Sequence, residues 1–323
     1  MKTQVGLRAA AGAGVAIATG GAAYAATQAF FADVCMAKKK PLAMRLFEQP
    51  QSAELSPVER QIRAGQQALE QAGAEAVEIV AFDGTTLRGH VLHADKPKRL
   101  VIAMHGWRSC WSRDFSLSWP FWQAEGCTVL YPDQRALGNS GGRYMCFGAL
   151  ERYDCLYWLR YVEGRFGTEL PIYLCGISMG AATVMMAASL DLGKSVHGIL
   201  ADCGFTSPYE IWKHVYEDNF HIPFGAARVC EAIFRRRTGL GLAEVDTRTI
   251  LAQKDLPVLL IHGAEDKFVP TDMSRQNYAA AKGPKELLIV PGASHGLSYA
   301  VDPAAYEDAV RRFFAAHDGA PHS

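Results

Sequence analysis

Pro171-Ile172-Tyr173-Leu174-Cys175-Gly176-Ile177-Ser178-Met179-Gly180-Ala181-Ala182 is the stretch around which the rest of the chain can be read. Residues 172–175 form an apolar run too short for a helix, and residues 181–190 are rich in Ala and Met, which favour one. Between them stands Gly176-x-Ser178-x-Gly180, so the reading is strand, sharp turn, helix. Neither glycine has a Cβ, which lets the strand and helix backbones come close. A serine in such a turn stands at the top of a strand with its hydroxyl projecting into a cleft. The helix N-terminus behind it favours developing negative charge. Glycine is common here, 30 of 323 residues, so the pattern alone is weak and the case rests on partners elsewhere.

Those partners lie downstream. Val258-Leu259-Leu260-Ile261 reads as a buried strand running into His262-Gly263-Ala264-Glu265-Asp266, and Leu287-Leu288-Ile289-Val290 as a last strand running into Pro291-Gly292-Ala293-Ser294-His295. Ser178, Asp266 and His295 therefore each follow a buried strand, in the order serine, acid, histidine. A serine hydroxyl is a poor nucleophile at neutral pH, so an imidazole must take its proton. Histidine suits this because it titrates near neutrality, and a carboxylate holds the ring in one tautomer and stabilises its cation. Asp202, at the end of the strand after the elbow helix, is the competing acid; otherwise it is expected to bond neighbouring loop amides.

Upstream, Leu100-Val101-Ile102-Ala103-Met104 reads as a buried strand ending in His105-Gly106-Trp107. The backbone N–H of Trp107 paired with that of Met179 is the expected oxyanion hole. A helix is expected over residues 115–125, closed by Gly126. Asp133 and Arg135 are expected to brace a tight loop as a pair. Residues 151–162 read as an amphipathic helix with Tyr153, Leu156, Tyr157, Leu159 and Tyr161 as packing positions. His90 and His93 fall in the second strand of a hairpin around Asp83-Gly84 and read as surface histidines, with no ligand spacing around them.

Composition narrows the rest. Hydrophobic content of 49% and charged content of 20%, with zero net charge, fit a globular enzyme and give no sign of nucleic-acid binding. Eight cysteines include no C-x-x-C pair and read as small buried hydrophobes rather than a disulfide framework or zinc site. Residues 9–32 carry no charge, and as a helix would span about 36 Å, enough for a bilayer core of roughly 30 Å. A single membrane anchor is the first reading of residues 1–40. A signal segment cleaved near Ala23-Tyr24-Ala25, with export, is the second, and an Ala-rich soluble tail the third. Lys38, Lys39 and Lys40 after the run favour the domain staying on the cytoplasmic side. Residues 41–74 read as a helical lead-in, with Ser56 as cap and Pro57 in the first turn.

His105-Gly106, Asp133-x-Arg135-x-x-Gly138-x-Ser140-x-Gly142, Gly176-Ile177-Ser178-Met179-Gly180, His262-Gly263-x-x-Asp266-x-x-Val269-Pro270 and Gly292-x-x-His295 together carry a resemblance. Over about residues 75–317 the chain resembles the α/β-hydrolase superfamily, most closely its serine aminopeptidase-like and prolyl-oligopeptidase-like esterase branch, whose members often carry an N-terminal membrane segment. The resemblance implies an α/β fold over residues 75–318: a mostly parallel eight-stranded sheet flanked by helices, with a helical cap at about 205–253 inserted after the sixth strand. It implies Ser178, Asp266 and His295 as triad, with no cofactor and no metal. Relatives often have histidine where this chain has Leu137, which leaves that loop's part in the pocket rim open.

The expected activity is ester cleavage through an acyl-enzyme, on a small-molecule ester or amide. Trp111 and Trp212 are expected to line an apolar pocket. A peptidase, amidase or acyltransferase would use the same residues, and a non-catalytic binding protein on the same fold is the alternative of another class. The sequence carries no signal of oligomeric state.

Overall fold

The computed structural model of the chain describes Cys35 and residues 55–219 and 227–319. Eight strands form one sheet: β1 (Glu75–Val80), β2 (Thr86–Leu92), β3 (Arg99–Met104), β4 (Cys127–Pro132), β5 (Ile172–Ile177), β6 (Val196–Asp202), β7 (Val258–Gly263) and β8 (Lys285–Val290). Their order across the sheet is β1-β2-β4-β3-β5-β6-β7-β8. Only β2 runs against its neighbours; every pair from β4 to β8 is parallel. The expected eight-stranded, mostly parallel sheet is therefore what forms.

The strand sequences explain their places. β3 to β7 are short apolar runs, buried on both faces by the crossover helices that parallel pairing demands. β1 alternates in exposure and puts Glu75 and Glu78 on the open edge, where charge deters further strand pairing. Gly84, at φ +79°, turns the β1–β2 hairpin. On one face of the sheet Ile102, Leu174, Ile199 and Leu260 pack with Trp158 and Val184. On the other, Val101, Tyr173, Leu200 and Leu259 pack with Trp122, Phe313 and Phe314. Each fully buried side chain of this size contributes about 1.5–3 kcal/mol.

Parallel register brings the carboxyl ends of five strands to one edge. Met104 is level with Gly176, Gly176 with Ala201, Ala201 with Leu260, and Leu260 with Leu287. The loops bearing Trp107, Ser178, Asp202, Asp266 and His295 leave from that edge, where open α/β sheets hold their ligands.

Several local expectations hold. The Ser56 hydroxyl accepts from the Glu59 amide and starts helix α1 (Pro57–Glu70). Asp302 likewise caps the closing helix, Pro303–His317, through the Ala305 amide. Between β6 and β7 come helices Pro208–His214, Ala227–Thr238 and Thr247–Leu251, with a π-turn at Val215–Asn219. Trp212 and Phe234 from this insertion join Phe147 and Met186 in a third apolar cluster, which also takes in Leu137 and Cys35. Cys35, Cys110, Cys127, Cys146, Cys155, Cys175 and Cys203 are free thiols.

Two helix readings are corrected. The helix expected over 115–125 is broken into Trp111–Asp114 and Trp119–Ala124. Pro120 causes this: it has no N–H, and its ring would meet the carbonyl four residues back, so it can only restart a helix. The helix expected over 151–162 runs Glu151–Phe166; Leu156, Leu159 and Tyr161 pack on the core as expected, but the buried face is wider than the one read. Tyr157 is 39% exposed, whereas Glu151, Asp154 and Trp158 are buried with Leu159. Its inward face holds carboxylates, which a search for apolar periodicity discards. Residues 9–32, expected to anchor the chain, lie outside the described residues; among those described, no helix is long and apolar enough to cross a membrane.

Candidate active site

Ser178 sits between β5 and helix Met179–Ala187 at φ +56° and ψ −115°, a strained conformation for a non-glycine residue that costs about 1–3 kcal/mol. The flanking glycines make it tolerable. A Cβ on Gly176 would fall 2.5 Å from the Ala181 nitrogen, and one on Gly180 2.5 Å from the Met104 carbonyl carbon. The Ser178 amide donates to the Asp202 carbonyl at 2.8 Å, and the Ser178 carbonyl accepts from Ala182 at 3.0 Å. The turn is thereby held from both sides.

The three residues expected to meet do so. His295 Nε2 lies 3.0 Å from Ser178 Oγ, and its Nδ1 lies 2.6 Å from Asp266 Oδ2. A carboxylate can only accept, so Nδ1 carries the ring proton and Nε2 faces the serine hydroxyl as an acceptor. Asp266 is 7% exposed, which by itself opposes ionisation. Hydrogen bonds from His262 and His295, the charge of His295 and the Val269 amide outweigh burial and hold its carboxyl well below the ordinary range. Its other oxygen, Oδ1, accepts from the Phe268 and Val269 amides, both at 2.9 Å.

His262 escaped the reading of the sequence as a site residue. It is fully buried at the end of β7, with Nε2 3.1 Å from Asp266 Oδ2 and 3.0 Å from the Val269 carbonyl. Both partners accept, so Nε2 is the protonated nitrogen, and Nδ1 meets the Ser274 hydroxyl at 2.6 Å. Asp266 thus sits between two imidazoles. The only signal in the sequence was the spacing His262-x-x-x-Asp266 on a strand end.

Asp202, the competing acid, is buried beside this chain and takes the Ser298 hydroxyl at 3.1 Å instead of the loop amides expected for it. Burial pushes its carboxyl up to about 6, against the pull of the His262 charge and the Ser298 bond. Cys203 follows at φ +48°, with its thiol pushed up by burial and therefore neutral. Ligand atoms of Cys203, Asp266 and His295 lie within 4.8 Å of one another. A cation there would have to displace the proton shared by Asp266 and His295, so the donor set fits a proton chain better than a metal centre.

The turn after β3 supplies the other wall. Asp114 Oδ2 accepts from the Gly106 amide at 2.6 Å, and Oδ1 takes the Ser109 hydroxyl. Gln134 bridges this turn too: its amide donates to His105 Nε2 at 3.1 Å, and its side chain donates to the His105 carbonyl. Asp114 was another residue not singled out from sequence. Trp107 sits next to the braced Gly106, and Met179 is the first residue of its helix, where amides have no intrahelical acceptor.

A cavity of about 320 Å³ opens beside Ser178, walled by Gly106, Trp107, Ile177, Phe268, His295 and Leu297. Phe268 is 37% exposed; it stacks on the Trp107 ring at 6.4 Å and meets the His295 ring edge-on at 5.0 Å. Trp111 and Trp212 are not in this wall, contrary to expectation. Trp111 stacks on His90 at 4.3 Å and packs against Tyr131 in the layer beneath β2 and β4. Trp212 is buried under the cap against Phe147 and Phe234. Both rings satisfy apolar packing inside the domain, and none of the described cap residues lines the cavity. His90 is half-buried under that stacking rather than on the surface. Asp133 and Arg135 brace their loop separately: Arg135 forks Asp154 at 2.6 Å and reaches Asp83 at 3.0 Å, while Asp133 takes the Asn139 amide at 2.9 Å.

The chain is similar to known proteins over most of its length. Residues 100–309 match the family model described as "Alpha/beta hydrolase family". The uncharacterized protein YqkD of Bacillus subtilis (strain 168) is 25% identical over 249 residues, 76% of this chain and 81% of that protein. The uncharacterized protein Rv2307c of Mycobacterium tuberculosis is 40% identical over 190 residues, 58% of this chain and 60% of that one. Among solved structures, the Pyrococcus furiosus esterase Pf2001 superposes with a TM-score of 0.63 at 23% identity, covering 77% of this chain and 94% of that one. Est1E of Butyrivibrio proteoclasticus, solved with ferulic acid bound, gives 0.57 at 18%, covering 75% and 98%. With the sheet order, the Ser178 turn and the matched span in agreement, the chain belongs to the alpha/beta hydrolase family.

Proposed function

We propose that this protein is a serine hydrolase that cleaves carboxylic esters through an acyl-enzyme. The observation that carries the reading is the continuous chain from Ser178 Oγ through His295 to Asp266, at 3.0 and 2.6 Å. Ser178 attacks the ester carbonyl as its proton passes to His295 Nε2. Asp266 stabilises the imidazolium that results. The tetrahedral oxyanion is held by the amides of Trp107 and Met179, each contributing about 3–4 kcal/mol to lowering the barrier. Collapse expels the alcohol, which takes the proton from His295. Water, deprotonated by the same ring, then attacks the acyl-enzyme and frees Ser178.

The names of the structural neighbours, esterases among them, support an ester over an amide. An amidase or acyltransferase would use the same groups. A panel of acyl esters and aminoacyl amides ranks these reactions. Labelling by a fluorophosphonate probe tests the core: we expect wild type to be labelled and Ser178→Ala not. Folded wild type that resists the probe and leaves p-nitrophenyl esters intact would overturn the reading. Membrane attachment through residues 9–32, with the domain on the cytoplasmic side, belongs to the same proposal, supported by the uncharged run and the lysines after it. Extraction of the full chain from membranes by carbonate alone would reject it.

A further inference from the structure

Helix α1 precedes the span shared with the family, yet it reaches the cavity beside Ser178. Its Ile62, 8% exposed, is part of the cavity wall. The helix is held there by specific contacts. Arg113 forks Glu59 with two bonds of 3.0 Å. The Ser112 hydroxyl donates to Glu70 at 2.7 Å, and Gln66 donates to the same carboxylate at 3.0 Å. Gly65 lies so close to the turn after Asp114 that a Cβ on it would stand 3.0 Å from the Ser116 carbonyl carbon. These partners all belong to the segment that carries Asp114, the brace of the Gly106 turn. The helix is therefore docked on the segment from Ser112 to Ser116 and is not a loose leader.

The chemistry of that wall points to one kind of occupant. Arg113 is the one cationic side chain of Lys or Arg type lining the cavity among the described residues, and Glu59 offsets its charge. Asp114 and Asp202 also line the space, which disfavours a chain ending in a carboxylate. Ile62 and Leu117 offer apolar surface. In a two-step reaction the alcohol leaves first and the acyl group stays attached to the serine. An acyl group held at Ser178 can therefore extend along the apolar surface of this wall.

We propose that Ile62 is the residue that sets acyl-chain length, so that α1 is a working part of the binding site for uncharged acyl groups. This rests on the ester-hydrolase reading. The test uses the full chain and p-nitrophenyl esters from acetate to decanoate. The readout is the ratio of kcat/KM for each longer ester to that for acetate within one variant, so a general loss of active protein cancels. Ile62→Ala is expected to raise the ratio by about fourfold for each further methylene that becomes buried. Ile62→Trp is expected to lower it and to shift the best substrate to a shorter chain. Because Ile62→Ala could also loosen the helix, Ile62→Val serves as a milder step in the same direction. Ratios that stay at the wild-type value in all three variants overturn the proposal. So does a shift seen with alkyl acetates of varied alcohol length and not with the acyl series. Fluorophosphonate labelling keeps the two readings apart: labelling with unmoved ratios rejects Ile62 as the wall, whereas loss of labelling in wild type rejects the hydrolase reading itself.

Discussion

Two neighbouring strands each lead to an aspartate, and the two carboxyl groups have opposite fates. Asp202 closes β6, is buried, and gains one hydroxyl, from Ser298. Burial dominates, and its carboxyl is pushed up to about 6. Asp266 stands on the loop after β7, where two backbone amides and two imidazoles converge on it. Burial works against ionisation there too, but the donors win and the carboxyl is held well down. The comparison shows that the number and aim of donors select the acid that serves His295. A strand end alone does not.

The largest effects break or uphold that comparison directly. Asp266→Asn is expected to lower kcat by about 10⁴-fold, because the amide no longer enforces the useful tautomer of His295. Asp202→Asn is expected to cost less than about tenfold. Steady-state kinetics of both variants decide the matter, and the reverse ranking would move the acid to Asp202.

His262 sharpens the comparison next. Removing it with His262→Phe takes one of the donors from Asp266, and a hydrogen bond to a charged group is worth about 1.5–3 kcal/mol. A fall in kcat of about 10- to 100-fold is expected, with circular dichroism confirming the fold. Turnover at the wild-type rate would show that Asp266 is sufficiently held by its loop amides and His295. A third carboxylate serves as a control that touches neither histidine: Asp114→Ala should lower kcat about tenfold through the Gly106 turn, with KM little changed. A rise in KM alone would mean that Asp114 contacts substrate instead.

The last effect is on stability and leaves turnover aside. The Asp202 carboxyl is raised in the folded chain from its ordinary 3.8 to about 6, so the folded state holds a proton that the unfolded state releases between those values. Stability from this group is present below pH 4 and is lost as pH rises toward 6. Asp202→Asn has no such loss. Relative to wild type it should therefore gain roughly 2–3 kcal/mol between pH 4 and pH 7, read from urea midpoints at the two values. Asp266 works in the opposite sense: its contribution is present above pH 4 and is lost as the solution becomes more acid. An Asp202→Asn curve parallel to wild type would show that Asp202 ionises in the folded chain as readily as in the unfolded one.

Legibility followed the kind of interaction involved. The strands were readable because parallel strands buried on both faces are short apolar runs, as in Leu100-Val101-Ile102-Ala103-Met104. The Ser178 turn was readable because only glycine fits at positions 176 and 180. The helix Glu151–Phe166 was read only in part: Leu156, Leu159 and Tyr161 pack on the core, Tyr157 does not, and the buried carboxylates were missed. Its buried Glu151 takes the Cys146 and Gly148 amides and its buried Asp154 pairs with Arg135, and a pattern of polar residues cannot announce partners that arrive from other loops. Trp111 and Trp212 misled for a related reason. A large aromatic signals burial, but not whether it is buried in a pocket wall or in the core.

The sequence by itself determined the order of the strands along the chain and put Ser178, Asp266 and His295 each just past one, since both rest on short-range patterns: apolar runs, glycines at a turn, a polar residue just past a strand. Only the tertiary structure decided that His262 shares Asp266, that Asp114 holds the Gly106 turn, and that Ile62 from an upstream helix walls the cavity. The last contact joins segments far apart in the chain, while the first two contacts, four and eight residues apart, depend on how a loop folds back onto a strand end. Their direction is set by how the sheet stacks its loops at one edge, and nothing in the local pattern of residues encodes it.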